Sequence, residues 1–102
     1  LSKDTLTQLV AICEEAKCYL ILDEVYSDFV WNEDGKMYSP IQEETISEYV
    51  IAVRGFSKSL GLQSWRVGFL VSTQKNVDAI MANHDPLFIS RMFILVYIET
   101  LP

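Results

Sequence analysis

The sequence is short of basic charge and of long apolar runs, and each shortage excludes a class of protein. Its 102 residues include eight lysines and arginines against fourteen acidic residues, a formal net charge of −6. No basic run could follow a phosphate backbone, so nucleic acid is excluded as a partner. The most apolar stretch, residues 92–98, is shorter than the roughly 18 residues of a membrane-spanning helix. No membrane association is therefore expected.

Cysteine is also scarce, which bears on metal binding and on the cellular compartment. The two cysteines, Cys13 and Cys18, lie five positions apart, unlike a CxxC redox pair or a metal-ligand motif. We expect two buried free thiols and no metal site. Because cysteines are few and no signal-peptide pattern is present, the sequence predicts a soluble, cytoplasmic protein.

Half of the residues are apolar, and their spacing predicts an α/β fold. In a chain of this length that proportion is enough to bury a core. Apolar positions at helical spacing predict helices at residues 3–17, 74–83 and, beyond Pro86, 88–99. Short unbroken apolar runs predict strands covered on both faces at residues 18–22, 49–53 and 67–71. Helices and strands in this order predict a layered α/β sheet.

A long polar segment separates the first two predicted strands. Residues 32–47 contain a turn cluster and Pro40, and we expect a surface connection there. One or two helical turns are expected at residues 43–49.

Three polar residues, Asp23, Tyr26 and Lys58, follow closely after predicted strands. In open α/β sheets, ligands bind at the carboxyl ends of the strands, so these are candidate site positions. Taken singly, each has an ordinary explanation, because an Asp after a strand often stabilises a turn and a loop Lys is usually solvated. Their combination is more specific than any one of them.

The segments around these residues resemble the active-site signature of the class I and II aminotransferases that depend on pyridoxal phosphate (PLP), the aspartate aminotransferase family of fold type I. The matching segments read LILDEVY at 20–26, GFSKSLGL at 55–62 and WRVG at 65–68. Tyr26 follows Asp23 by three positions, and Lys58 follows Asp23 by 35. Arg66 follows Lys58 by eight. Order and separation both match the family, and the resemblance covers nearly the whole chain.

The resemblance implies a role in PLP binding or catalysis for each residue. Lys58 would form the Schiff base with the cofactor aldehyde and then move the substrate's α-proton, and a primary amine is suited to both tasks. Asp23, as a buried carboxylate, would favour the protonated pyridine nitrogen. Tyr26 would donate a hydrogen bond to the ring's 3-oxygen. Arg66 would hold the cofactor phosphate with its planar guanidinium, and Ser57 would add a hydroxyl.

The family pattern is incomplete in this chain. Many relatives have a phosphate-binding Ser where this chain has Gly55, so one contact to the phosphate is expected to be missing. The family enzymes are several times longer, and the chain opens at Leu1 and ends at Pro102 without a polar tail. We therefore expect residues 1–102 to be a fragment of the PLP-binding large domain, with the rest of that domain and the small domain absent. The fragment would hold a portion of that domain's mixed, mainly parallel sheet with its flanking helices.

The function implied by the resemblance is transfer of an amino group between an amino acid and a 2-oxo acid. The full-length parent would be a homodimer, and the isolated fragment is expected to be inactive. Two alternatives stay open, since PLP-dependent lyases share the scaffold and a non-catalytic regulator could carry an aminotransferase-like domain. A third interpretation is a partial copy without activity. The sequence does not identify the substrate or the amino acceptor.

Overall fold

The computed structural model of the protein describes residues 1–31 and 33–87. These residues form three strands, two long helices and one short helix. In chain order they are α1 (Lys3–Ala16), β1 (Leu20–Asp23), β2 (Val50–Gly55), α2 (Phe56–Ser59), β3 (Gly68–Val71) and α3 (Gln74–Leu87). The predicted α/β class is confirmed, and each strand begins one or two residues later than the apolar runs indicate.

The strands form one mixed sheet in the order β1-β2-β3. β1 pairs parallel to β2, with Asp23 opposite Val53. β3 pairs antiparallel to β2, with Gly68 opposite Gly55. As a result β1 and β2 end, and β3 begins, at the same end of the sheet. We call this the site end, because the candidate residues follow or precede these strand termini.

Local backbone and side-chain contacts mark both ends of helix α1. The Ser2 hydroxyl accepts a hydrogen bond from the Thr5 N–H at 3.2 Å, which satisfies one of the free donors of the first turn. Leu6 and Cys13 form the buried side of the helix. The helix stops at Lys17, whose backbone is left-handed with φ 52°. The helix predicted at residues 3–17 is confirmed.

One face of the sheet is buried and the other is open within the described residues. Val50, Ala52 and Val71 are at most 1% exposed, and they form the core with side chains from both long helices. On the opposite face Ile21 is 66% and Val53 37% exposed. The expectation that both faces are covered is therefore wrong for the described part of the chain, because its helices pack on one side only.

The connection between β1 and β2 is more buried than predicted. Ser39, Pro40 and Ile46 are buried, so the segment is only in part a surface connection. The helical turns expected at 43–49 are not formed; a 3-10 helix at Pro40–Gln42 precedes that segment. Pro40 occupies the first position of that turn, where its fixed φ favours helical geometry.

Helix α3 runs four residues beyond its predicted end at residue 83 and includes Pro86. Proline near the last turn of a helix removes only one backbone donor, so it does not stop the helix as predicted. The helix predicted at 88–99 and the apolar stretch at 92–98 lie outside the described residues. Of the helices that the structure describes, none has the length and hydropathy needed to cross a bilayer.

A buried amide fastens α3 to the sheet. Asn76 Nδ2 donates to the Glu48 carbonyl at 2.7 Å and to Ser72 Oγ at 2.8 Å. Ser72 Oγ in turn donates to the carbonyl of Val50 at 2.7 Å. The Tyr19 hydroxyl donates to Asn76 Oδ1 at 3.4 Å. One side chain thus links α3 to the residues that precede both β1 and β2.

We expect Asn76→Ala to lower the free energy of unfolding by about 1–3 kcal/mol, because buried partners lose their hydrogen bonds. Asn83→Ala is the matched control, since this asparagine is exposed on the same helix and, among the described residues, donates only to the Ala79 carbonyl. Its effect should stay within about 0.5 kcal/mol. Urea unfolding of the full-length protein measures both. Equal effects would contradict the structural role of Asn76.

Candidate active site

The predicted site residues lie together at the site end of the sheet. Asp23 is the last residue of β1, and Tyr26 lies in the turn that follows it. Lys58 lies in α2, directly after β2. Arg66 lies between a 3-10 helix at Gln63–Trp65 and the start of β3. The strand pairing therefore brings residues that are distant in sequence to one region.

Lys58 and Tyr26 are in direct contact. The Lys58 Nζ lies 5.8 Å from the centroid of the Tyr26 ring, within the range of a cation–π interaction. The Tyr26 ring meets Phe29 edge to face, with 6.3 Å between ring centroids. Both Lys58 and Tyr26 are exposed, so an amine and a phenol face solvent side by side.

Two successive turns place Tyr26 beyond β1. The Asp23 carboxylate accepts a hydrogen bond from the Val25 N–H at 3.3 Å, which starts the first turn. The Ser27 N–H donates to the Glu24 carbonyl at 3.0 Å. The Phe29 N–H then donates to the Tyr26 carbonyl at 2.9 Å. Asp23 is exposed, in contrast to the buried carboxylate that its implied role requires.

Helix α2 is held to the start of β3, and this positions Lys58. The Phe56 N–H donates to the Val67 carbonyl at 3.3 Å, and the rings of Phe56 and Phe69 lie 5.3 Å apart. Gly68 permits this close packing, because a Cβ there would lie 3.0 Å from the Arg54 carbonyl oxygen. Lys58 therefore projects from a short helix that is packed against the neighbouring strand.

Ser57 directly precedes Lys58 on α2, and Arg66 lies before β3 at the same end of the sheet. The backbone of Arg66 is left-handed, with φ 54°, and its side chain is exposed. Within residues 1–31 and 33–87, no hydrogen bond or ion pair engages its guanidinium. Ser57 is half-buried.

A buried ion pair that the sequence analysis missed joins β1 to β2 beside Asp23. Arg54 places both Nε and Nη2 2.9 Å from Glu24 Oε2. The Glu24 side chain is 6% exposed and that of Arg54 26%. The Glu24 N–H also donates to the Val53 carbonyl at 2.8 Å, which continues the parallel pairing beyond Asp23.

This ion pair ties the end of β1, which carries Asp23, to the end of β2, which leads into the helix that carries Lys58. Two donors on one carboxylate oxygen give a directional contact, and the partners' burial protects it from water. Removing either partner would leave a desolvated charge without compensation, so the pair constrains the local structure strongly. One feature of the sequence could have indicated this ion pair. Arg54 directly follows an apolar strand run, and a charged residue at such a position usually has a partner.

The chain matches the family model of aminotransferase class I and II over residues 1–98. It is 37% identical over 79 residues to the (5-formylfuran-3-yl)methyl phosphate transaminase of Methanocaldococcus jannaschii. It is 38% identical over 68 residues to an aspartate aminotransferase of Sulfurisphaera tokodaii. It is also 34% identical over 84 residues to a histidinol-phosphate aminotransferase of Pyrococcus furiosus.

These alignments cover 78%, 67% and 80% of this chain, respectively, but only 21%, 16% and 22% of the relatives. The chain thus spans about a fifth of the length of the curated relatives that it matches. No solved structure matches the chain significantly.

We expect Glu24→Gln to lower the free energy of unfolding by about 1–3 kcal/mol, because the half-buried Arg54 loses its counter-charge. Glu48→Gln is the matched control, since it breaks an exposed ion pair to Lys75, 3.0 Å long with side chains 50% and 76% exposed. Exposed pairs contribute about 0–1 kcal/mol. Chemical denaturation of the full-length variants compares the two. If Glu48→Gln lowered the free energy of unfolding as much as Glu24→Gln does, burial would not explain the strength of the Glu24–Arg54 pair.

Proposed function

The chain belongs to the family of class I and II aminotransferases, and we propose that the protein containing it is a PLP-dependent enzyme that transfers an amino group between an amino acid and a 2-oxo acid. One observation carries the proposal. An amine, a phenol, a carboxylate and a guanidinium lie at the same end of the sheet, on Lys58, Tyr26, Asp23 and Arg66. Together they can hold one planar, charged ligand by four different groups.

These four residues fit the chemistry of PLP. The cofactor has an aldehyde, a pyridine nitrogen, a ring 3-oxygen and a phosphate, and each finds a complementary group here. The contact of Lys58 Nζ with the Tyr26 ring supports adjacent positions for the aldehyde and the 3-oxygen. Among the described residues no hydrogen bond or ion pair engages the Arg66 guanidinium, which supports anion binding. When bound, PLP supplies an electron sink that stabilises negative charge at the substrate's α-carbon.

Lys58 has two tasks in this proposal. Its Nζ would hold the cofactor covalently, and the same nitrogen, once free, would take up and return the substrate's α-proton. A primary amine can do both, whereas a guanidinium stays protonated. The position of Lys58 on a helix fastened to β3 limits the space that its side chain can sample.

The neighbouring residues hold the ring and the phosphate. The Tyr26 hydroxyl would donate a hydrogen bond to the 3-oxygen, and the Asp23 carboxylate would accept one from the ring N–H. That carboxylate would hold the proton on the ring most firmly when water is excluded. Arg66 would bind the phosphate through its planar donors, and the Ser57 hydroxyl would add a further donor.

The exposure of Asp23 and of Ile21 supports a larger assembly around this segment. We infer that residues 1–102 are part of a PLP-binding large domain and that the complete enzyme is a homodimer. Other parts of the protein would then cover the open face of the sheet and shield Asp23 from water.

The substrate is not specified by this segment. The relatives named above are called aspartate, histidinol-phosphate and (5-formylfuran-3-yl)methyl phosphate aminotransferases or transaminases. Similar segments thus occur in enzymes named for different substrates. We infer that residues 1–102 carry the chemistry common to these reactions and that the choice between substrates is made elsewhere.

The first test is PLP titration of the full-length protein, followed by borohydride reduction and peptide mass mapping. We expect a pyridoxyl adduct on Lys58 that is lost in Lys58→Ala and retained in Lys75→Ala. Lys75 is the matched control because it is an exposed lysine far along the chain, in an ion pair with Glu48. Labelling spread over Lys3 and Lys36 and unchanged in Lys58→Ala would refute the proposed site.

The second test concerns Asp23. We expect Asp23→Asn to keep the adduct on Lys58 but to lower kcat for amino transfer by about 10²–10³, the usual cost of losing one electrostatic contact to the reacting group. Asp28→Asn is the control, because this exposed carboxylate lies in the turns that follow Asp23. An unchanged rate in Asp23→Asn would contradict the proposed role. Release of ammonia without an amino acceptor would instead indicate a lyase.

A further inference from the structure

The C-terminus of α1 forms a turn that places two cysteines at contacting positions. The Lys17 N–H donates to the Glu14 carbonyl at 3.2 Å, and the Cys18 N–H donates to the Cys13 carbonyl at 3.0 Å. With the left-handed backbone of Lys17, these are the two hydrogen bonds of a Schellman motif. In that motif a contact between the side chains of the first and sixth residues is frequent, and here both residues are cysteines.

The two thiols differ in exposure. Cys13 is buried and Cys18 is exposed, and both are free. The expectation of two buried thiols is therefore right for Cys13 and wrong for Cys18. Burial raises the pKa of the Cys13 thiol, and a hydrogen bond with the adjacent Cys18 thiol raises it further. An accessible thiol thus lies against a protected one.

We propose that Cys13 and Cys18 form a reversible dithiol site that low-molecular-weight disulfides oxidise to an intramolecular disulfide. A disulfide needs Cα atoms about 4.4–6.8 Å apart. The direct backbone hydrogen bond between the two residues is compatible with that separation. The turn therefore supplies the geometry before oxidation, although the spacing of five in sequence is not a known redox motif.

The reaction proceeds by two exchanges. The exposed Cys18 thiol loses its proton to water, and the thiolate attacks one sulfur of the disulfide RSSR, which breaks the S–S bond and releases RS⁻. The Cys13 thiol then loses its proton and attacks Cys18 Sγ, which releases the second RS⁻. Both leaving groups take up a proton. In sum, two protein thiols and RSSR give one protein disulfide and two RSH.

This site is separate from the candidate active site. Cys18 precedes β1, whereas Asp23 ends it, so the thiols lie at the opposite end of that strand. Oxidation should therefore leave the borohydride-trapped adduct on Lys58 unchanged. Failure of one proposal does not imply failure of the other.

The test uses reduced full-length protein equilibrated with mixtures of reduced and oxidised glutathione. Remaining thiols are blocked with iodoacetamide, and the monomer band of a non-reducing gel is digested with trypsin. Trypsin cuts after Lys17, between the two cysteines. The disulfide then appears as residues 4–17 linked to residues 18–36, and its two peptides separate on reduction.

We expect the linked pair to become the main form of these peptides as oxidised glutathione increases. Dithiothreitol should reverse it, and Cys13→Ser and Cys18→Ser should each abolish it. Cys13→Ser should instead retain glutathione on Cys18, which identifies the attacking thiol. A glutathione adduct on wild-type Cys18 without linked peptides would overturn the proposal. Linked peptides found only in a covalent dimer band, or two thiols alkylated under all conditions, would also overturn it.

Discussion

The parallel pairing of β1 with β2 determines where the candidate active-site residues lie. Because both strands run the same way, Asp23 and the residues after Gly55 emerge at one end of the sheet. The antiparallel β3 brings Arg66 to that end as well. A shift of one residue in this register would turn the side chain of Asp23 to the opposite face, where Val50 and Ala52 are buried. The Glu24–Arg54 ion pair opposes such a shift, because it joins the two strands directly beside Asp23.

Sequence patterns predicted the secondary structure best where interactions between neighbouring residues form it. The helix at the start of the chain was predicted from apolar spacing, and its cap at Ser2 is a contact over three residues. The region after β1 was predicted least well. Its 3-10 helix at Pro40–Gln42 packs against α1 and β2, and Ile46 behind it is buried. Such packing overrides weak local preferences, and it cannot be read from periodicity.

For the candidate site, too, the sequence predicted some features and missed others. Lys58, Asp23, Tyr26 and Arg66 were predicted from residue type, order and separation, and the match to the aminotransferase model over residues 1–98 confirms the family behind that prediction. The roles of these residues stay predictions. Glu24 and Arg54 were missed because an ion pair between residues 30 apart is visible only when the strand register is known. The contact between Lys58 and Tyr26 also depends on that register.

By itself the sequence determined the α/β class, the order of the elements and the family, because these follow from apolar spacing and from a motif of fixed separations. The tertiary structure decided which distant groups meet, since that depends on strand register and on backbone conformation at single residues. The two cysteines illustrate the difference. Their spacing indicated nothing beyond ordinary thiols, but the left-handed backbone of Lys17 closes the turn that brings them together. A lysine with positive φ has no sequence signature, because only glycine and, less often, asparagine favour that conformation intrinsically.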